Sequence, residues 1–494
     1  MQLPFGEWLP DQPDHLNPGA TVATNVYHAQ SSYKPVKGLV AYSGTSNVTQ
    51  NAKGAGSFRD NTNTVFTFVG TKDNIYKLTS GTFASVKGSC TVSGGDTDFF
   101  TFTQFGQFVI ASNGVNPPMY YEMGTSTNFA TLQSLASASG SGTVPVKFKT
   151  SGVIRDFLVT GNIENAKNRI AWSGINDIST WEAGVSSSDT QDLPGSGGQV
   201  VAITSGEVGY VFREDQIIRM DFVGGNVVFR FSVISPNRGA VYGQTVCQDN
   251  RQVFFYASDG FFQINGDQIL PIGAEKVNRF FDGDLNKAYT DRITAAVDPF
   301  NTLAIWLYPS KDNPNTTGVC DKLLIYNYVT QKWSVAKVKA SQIFKQFVVA
   351  NTVELMDIIS ENLDDINISL DTAFWTTGHL YLGAVDENFK AAIFSGKTLE
   401  AELETKEQEI FPGLRANVTG IRPIVDAVAN VTIKTRDRLA DNVITSSSST
   451  MNDTGINPVR QSGRYFRANV KIPAESIWTN AQGIDLTASQ GGSR

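Results

Sequence analysis

The chain has 494 residues, of which 18% are charged and 11% aromatic, and it carries a formal net charge of −7. That length holds two to four domains, or one repeat domain with an appendage, and the acidic balance argues against a basic grip wrapping nucleic acid. Three widely spaced cysteines, Cys90, Cys247 and Cys320, exclude a disulfide framework or a Cys-x-x-Cys metal knuckle, and no apolar run approaches the roughly 20 residues of a membrane span.

The start, Met1–Trp8, lacks a basic stretch followed by an apolar one, so no signal peptide is expected. Buried free thiols in a protein made in a reducing cytosol are the matching expectation. Within residues 1–61, residues 1–35 are rich in Pro and Asn and read as an extended N-terminal arm, and residues 36–61 add one strand-like piece, Gly38–Tyr42, and a polar loop. A cassette then recurs: an apolar strand, a turn, and a strand closing on an aromatic. It runs Val65–Val69, a Gly70–Asn74 turn and Ile75–Leu78. It returns as Val253–Tyr256, Ala257–Gly260 and Phe261–Ile264, and again as Ala304–Tyr308, Leu323–Tyr326 and Trp333–Val335. Candidate copies fall near 62–90, 98–133, 153–185, 198–235, 250–280, 294–340 and 371–396. Four-stranded antiparallel units of this kind cannot bury both faces alone and must stack around an axis. The expected fold is therefore all-β: a β-propeller of six or seven blades over residues 62–396, with the extended N-terminal arm before it. Asn113-Gly114 marks a hairpin inside the second copy, and the Ser/Gly/Ala stretch Ser134–Gly142 reads as a flexible linker.

One segment departs from the β pattern. Met356, Ile359, Leu363, Ile366 and Leu370 recur at alternating steps of three and four, a helical stripe inside an insertion near 352–371. No Lys or Arg occurs between Lys345 and Lys390. The acidic residues Glu354, Asp357, Glu361, Asp364 and Asp365 are the candidate partner or channel-rim contacts, and a plain solvated face competes with that assignment. Residues 397–494 form a separate small β domain, in which acids and bases balance at 11 each from residue 400 onward.

Catalytic signals are missing. His15, His28 and His379 have no ligand spacing, and no nucleophile elbow or phosphate-cradling loop occurs. Gly195-Ser196-Gly197-Gly198 precedes a strand and is a turn. Trp172–Trp181 resembles the Asp-box turn of sialidase propellers, but Asp177 stands where the Gly belongs and Trp181 falls one place late. No enzyme activity, no cofactor and no metal are expected.

The same turn carries a better resemblance. Asn168-Arg169-Ile170-Ala171-Trp172-Ser173, an Asp, and Thr180-Trp181-Glu182 together resemble a recurring turn in the tail hub, or nozzle, proteins of short-tailed bacteriophages, the packaged-DNA stabilisation proteins and their relatives. Val253–Phe262, Lys276–Phe281, the pair Leu324–Asn327 and Lys332–Val335, and Arg460–Arg467 are similar to pieces of that family in the same order, across roughly 160–470. The acidic insertion and the long arm depart from it. The resemblance implies a structural virion subunit made in the host cytoplasm and placed in the viral tail. Its partners would be copies of itself in a homohexameric ring, portal and adaptor rings, and a fibre, needle or plug protein. Genomic DNA would pass without sequence-specific binding, and no membrane insertion is implied. The ring contact would fall on the arm and the C-terminal domain. The alternative is a non-enzymatic propeller binding carbohydrate or protein, with aromatic pairs such as Tyr120-Tyr121 as stacking surfaces.

Overall fold

The computed structural model describes residues 1–15, 17–41, 47–79, 81–139, 142–225, 227–314, 318–347 and 380–492. Five separate four-stranded antiparallel sheets follow one another along the chain, each with its strands in sequence order. Unit 1 is Ala55–Arg59, Val65–Gly70, Ile75–Thr79 and Thr82–Ser85. Unit 2 starts at Thr101–Phe105, unit 3 at Phe148–Ile154, unit 4 at Val200–Ile203 and unit 5 at Cys247–Asp249. Two further four-stranded runs belong to a larger sheet. Unit 6 is Thr294–Asp298, Leu303–Tyr308, Cys320–Asn327 and the first part of Lys332–Phe347. That 16-residue strand bends at a register shift after Ala340 and then opens unit 7, pairing with Leu380–Asp386. Ala391–Ile393 comes next, and the fourth strand of unit 7 is Val40–Ala41, brought back from the N-terminal side of unit 1 (Ala392 opposite Ala41).

The residue types dictate the layering. Second strands such as Phe157–Ile163 and Leu303–Tyr308 are buried along their whole length and mostly apolar, as strands covered on both faces are. Outer strands such as Asp189–Asp192 are polar and exposed. Each pair of successive units shares a hydrophobic cluster. Phe68 packs with Val109 and Tyr121, Ile110 with Phe148 and Leu158, Val159 with Val211, and Phe212 with Phe255. Phe261 packs with Trp306, Leu303 with Ile343 and Leu382, and Phe344 and Val385 with Val69 and Tyr76 of unit 1. Burial of each such side chain is worth about 1.5–3 kcal/mol. The architecture is all-β, of the β-propeller kind.

The remaining strands form a second, two-layered body. One layer orders Val26–Ala29, Ser32–Pro35, Ala481–Gln490, Ala416–Val425 and Asn457–Gly463, with Gln2–Pro4 also on Ala481–Gln490. The other runs from Val22–Thr24 through Ala401–Glu404 and Tyr465–Ile472 to Asn430–Arg436. The N-terminal segment is thus not an extended arm. Its strands are three or four residues long, too short for periodicity to register; Val26–Ala29 and Ser32–Pro35 pair locally, while Gln2–Pro4, Val22–Thr24 and Ser32–Pro35 also pair with strands hundreds of residues away. Leu3, Phe5 and Trp8 are buried accordingly. Val22–Thr24 also bridges to unit 6, parallel to Val335, so one sheet continues from unit 6 into this body. A single core joins them, holding Trp306 and Trp333 together with Val418, Ile433 and Ile484.

The expected linker at Ser134–Gly142 is replaced, over Leu132–Ser139, by an α-helix. Leu132 and Ala136, one helical turn apart, are fully buried; small polar residues on the other face masked that stripe.

Candidate functional site

The first strands of all seven units line one cavity of about 880 Å³, with residues such as Ser57, Thr103, Ser151, Ala202, Gln248, Ala296 and Gln342. These strands carry small and polar residues because each turns one face to the cavity. Side chains stitch them together where no sheet ladder exists. The Gln104 amide donates to the Arg59 carbonyl at 2.6 Å, joining units 2 and 1. The Thr103 hydroxyl lies 2.9 Å from the Ser151 hydroxyl, joining units 2 and 3. The Val153 N–H donates to the Ser205 hydroxyl at 2.9 Å, and the Gln248 amide donates to the Ser205 carbonyl at 2.6 Å. Trp306 Nε1 donates to the Thr245 carbonyl at 3.0 Å, tying unit 6 to the connection that leads into unit 5. Lys345 Nζ reaches the Gln248 carbonyl at 3.0 Å.

Two amides in this cavity stand apart. Gln342 is 7% exposed, and its Oε1 has no hydrogen-bond partner. Gln244 has neither amide atom partnered, although both are buried. Among the described residues the charges lining the cavity are Lys149, Lys345 and Asp291, so that wall is close to neutral.

The acidic candidates Glu354, Asp357, Glu361, Asp364 and Asp365 lie outside the described residues, as do the helical stripe and His379. Tyr120 and Tyr121 divide: Tyr121 is 1% exposed, packed against Phe68 and Phe129, and only Tyr120 is partly open. The Trp172–Trp181 turn is a structural lock. Asp177 accepts from Ser179 N at 2.8 Å, from the Ser179 hydroxyl at 2.6 Å and from the Thr180 hydroxyl at 2.6 Å. Partial burial would raise its pKa, but the bonds from Ser179 and Thr180 outweigh it and hold the carboxyl below its ordinary value. Asp177→Ala should cost about 2 kcal/mol by freeing these donors, read as a lower melting temperature. The Gly195–Gly198 turn wraps Arg213, 2% exposed, whose guanidinium donates to the carbonyls of Pro194, Gly195 and Gly198 at 2.8, 3.2 and 2.9 Å.

Two neighbouring buried carboxylates, Glu404 and Glu407, are 1% and 5% exposed. Both are engaged. Lys434 Nζ lies 2.5 Å from Glu404, Arg436 Nε donates to Glu407 at 2.8 Å, and Arg467 reaches Asp14 at 2.9 Å and Glu404 at 3.6 Å. They hold the second body together. All three cysteines are buried thiols, with burial pushing Cys247 up to about 12, which leaves no reactive thiolate there. Among the described residues no group of three or more His, Cys, Asp or Glu side chains could hold a metal ion, and no helix is long and apolar enough to cross a membrane.

His28 marks the junction of the two bodies. Its Nε2 faces Lys332 Nζ at 3.1 Å, and its carbonyl accepts from Asn327 at 3.0 Å. Burial, then Lys332, lowers its pKa from 6.5 to about 4. Between those values the folded chain binds fewer protons than the unfolded one. This contribution to stability is therefore full above about pH 6.5 and falls as pH drops toward 4. His28→Gln should flatten the melting temperature over that window.

No family model matches the chain, and no curated protein matches it. Among solved structures, it is similar to the extracellular domain of a hybrid two-component system from B. thetaiotaomicron, at 9% identity and a TM-score of 0.42, covering 90% of this chain and 47% of that one. It is also similar to a chain of the mitotic checkpoint complex, at 9% identity and a TM-score of 0.39, covering 75% of this chain and 96% of that one. The WD40 domain of Neurospora crassa Pan2 gives 9% identity and a TM-score of 0.38, over 74% of this chain and 96% of that one. Scores this low leave the fold resting on the strand pairing itself.

Proposed function

We propose that the seven units close as the blades of one β-propeller, and that the protein is a non-catalytic binding module fused to a β-sandwich. The observation that carries this reading is the single cavity lined by the first strand of every unit. The shared cluster of Phe344 and Val385 with Val69 and Tyr76 supports closure between units 7 and 1. The best-placed pair of buried acids is neutralised by lysine and arginine, which favours binding over hydrolysis. Probing a glycan array and a set of candidate protein ligands with the full chain tests the reading. Saturable binding without turnover is expected. Turnover abolished by substituting a carboxylate would overturn it.

A second reading, a subunit of a phage tail nozzle ring, is favoured by one observation besides the sequence resemblance. The sandwich is joined to unit 6 by strand pairing and a common core. A rigid second surface of this kind suits the head-to-tail contact that closes a ring. In this reading Glu354, Asp357, Glu361, Asp364 and Asp365 form a docking face or rim. Mass photometry of the purified chain, with immunogold labelling of virions, decides it. Ring species and gold at the tail support it; monomers and unlabelled particles sink it.

A further inference from the structure

We infer that the central cavity is a binding site for a neutral, hydroxyl-rich small ligand, a saccharide of one to a few units. This rests on the binding-module reading and names the ligand class of that site. Buried polar groups in folded proteins are nearly always hydrogen-bonded, yet both amide atoms of Gln244 and the Oε1 of Gln342, in the wall of this cavity and shielded from solvent, have no partner. They come from two elements that both contact the strand Thr294–Asp298, whose Ala295 and Ala296 line the cavity but offer no side-chain partner. An amide supplies both a donor and an acceptor, the pairing that adjacent sugar hydroxyls require.

The rest of the wall fits the same chemistry. Phe58, Phe99 and Phe102 bring aromatic rings to the cavity, apolar surface for the C–H faces of a pyranose. The Lys345 ammonium is already bonded to the Gln248 carbonyl, and Asp291 offsets one lysine charge. A wall this close to neutral gives a phosphate or a polycation little electrostatic gain. The volume of about 880 Å³ lies within the range of about 300–1,000 Å³ typical of ligand pockets.

The test uses the full chain with glucose, galactose, N-acetylglucosamine, maltose, trehalose and maltotriose as probes, read by thermal melting and isothermal titration calorimetry. At least one probe should raise the melting temperature in a concentration-dependent way. Gln342→Leu should weaken that probe at least tenfold while melting no lower than the parent, because an unpaired buried amide has been removed. Gln244→Leu gives an independent reading if the first variant does not fold. No shift with any probe overturns the assignment and leaves the amides to ordered water. A shift undiminished in both variants also overturns it, placing the saccharide elsewhere while the binding-module reading stands.

Discussion

Trp333→Ala should be among the most damaging single substitutions in the chain, costing about 3–5 kcal/mol. The indole is fully buried. It stacks on Trp306 at 5.7 Å, meets Tyr326 at 4.6 Å and Phe261 at 5.3 Å, and donates to the Ile272 carbonyl at 2.8 Å. Alanine leaves a cavity and an orphaned carbonyl at the same point. Trp333 belongs to the core shared by units 5 and 6 and the sandwich. The loss should therefore lower the melting of both bodies together, followed by near-ultraviolet circular dichroism for the aromatic core and far-ultraviolet for the strands. A cost under about 1 kcal/mol would mean that the site collapses freely, or that the two bodies do not share this core.

Arg436→Met should be comparably severe for a different reason. Its guanidinium grips Glu407 with two nitrogens, and the Glu407 side chain is 2% exposed. The nearest remaining cation is then Arg467 at 3.8 Å. Removing one partner of a buried pair costs about 3–5 kcal/mol, because the other charge is left without water or counter-ion. The double variant Arg436→Met/Glu407→Leu should recover most of that loss, since an apolar pair carries no such penalty. Equal destabilisation of single and double variants would contradict a role in neutralising Glu407.

The repeated cassette was legible because its carriers are long apolar runs. Val253–Tyr256 and Phe261–Ile264 became the middle strands of unit 5, and Ala304–Tyr308 and Leu323–Tyr326 those of unit 6. The strands lining the cavity were not. Ala55–Arg59 and the start of Phe148–Ile154 are too polar for an alternation signal, since one face looks into a wet space. Nothing local could show that Val40–Ala41 completes unit 7, because strand partners so far apart leave no period in the sequence. The same limit hid Gln2–Pro4 and Val22–Thr24, whose partners lie in 401–490, whereas the local hairpin of Val26–Ala29 with Ser32–Pro35 was missed because its strands are only four residues long. Glu404 and Glu407 are two of the four glutamates of Ala401–Ile410, but nothing local pairs them, because their cations lie on another strand. Gln244 and Gln342 carry no sequence signal at all, since an unpaired amide is a property of the neighbours it lacks.

The cavity depends on ring closure by the strand Val40–Ala41. The direct measurement is oxidative cross-linking of the double variant Ala41→Cys/Ala392→Cys. These residues are opposed across an antiparallel pair, where Cα atoms approach to about 4.5–5.5 Å, within disulfide reach. Cys90, Cys247 and Cys320 are buried and do not compete. Near-complete intramolecular cross-linking is expected, with the cross-linked protein binding ligand as the parent does. Free thiols at both positions after oxidation of the folded protein would contradict closure, and the cavity with it.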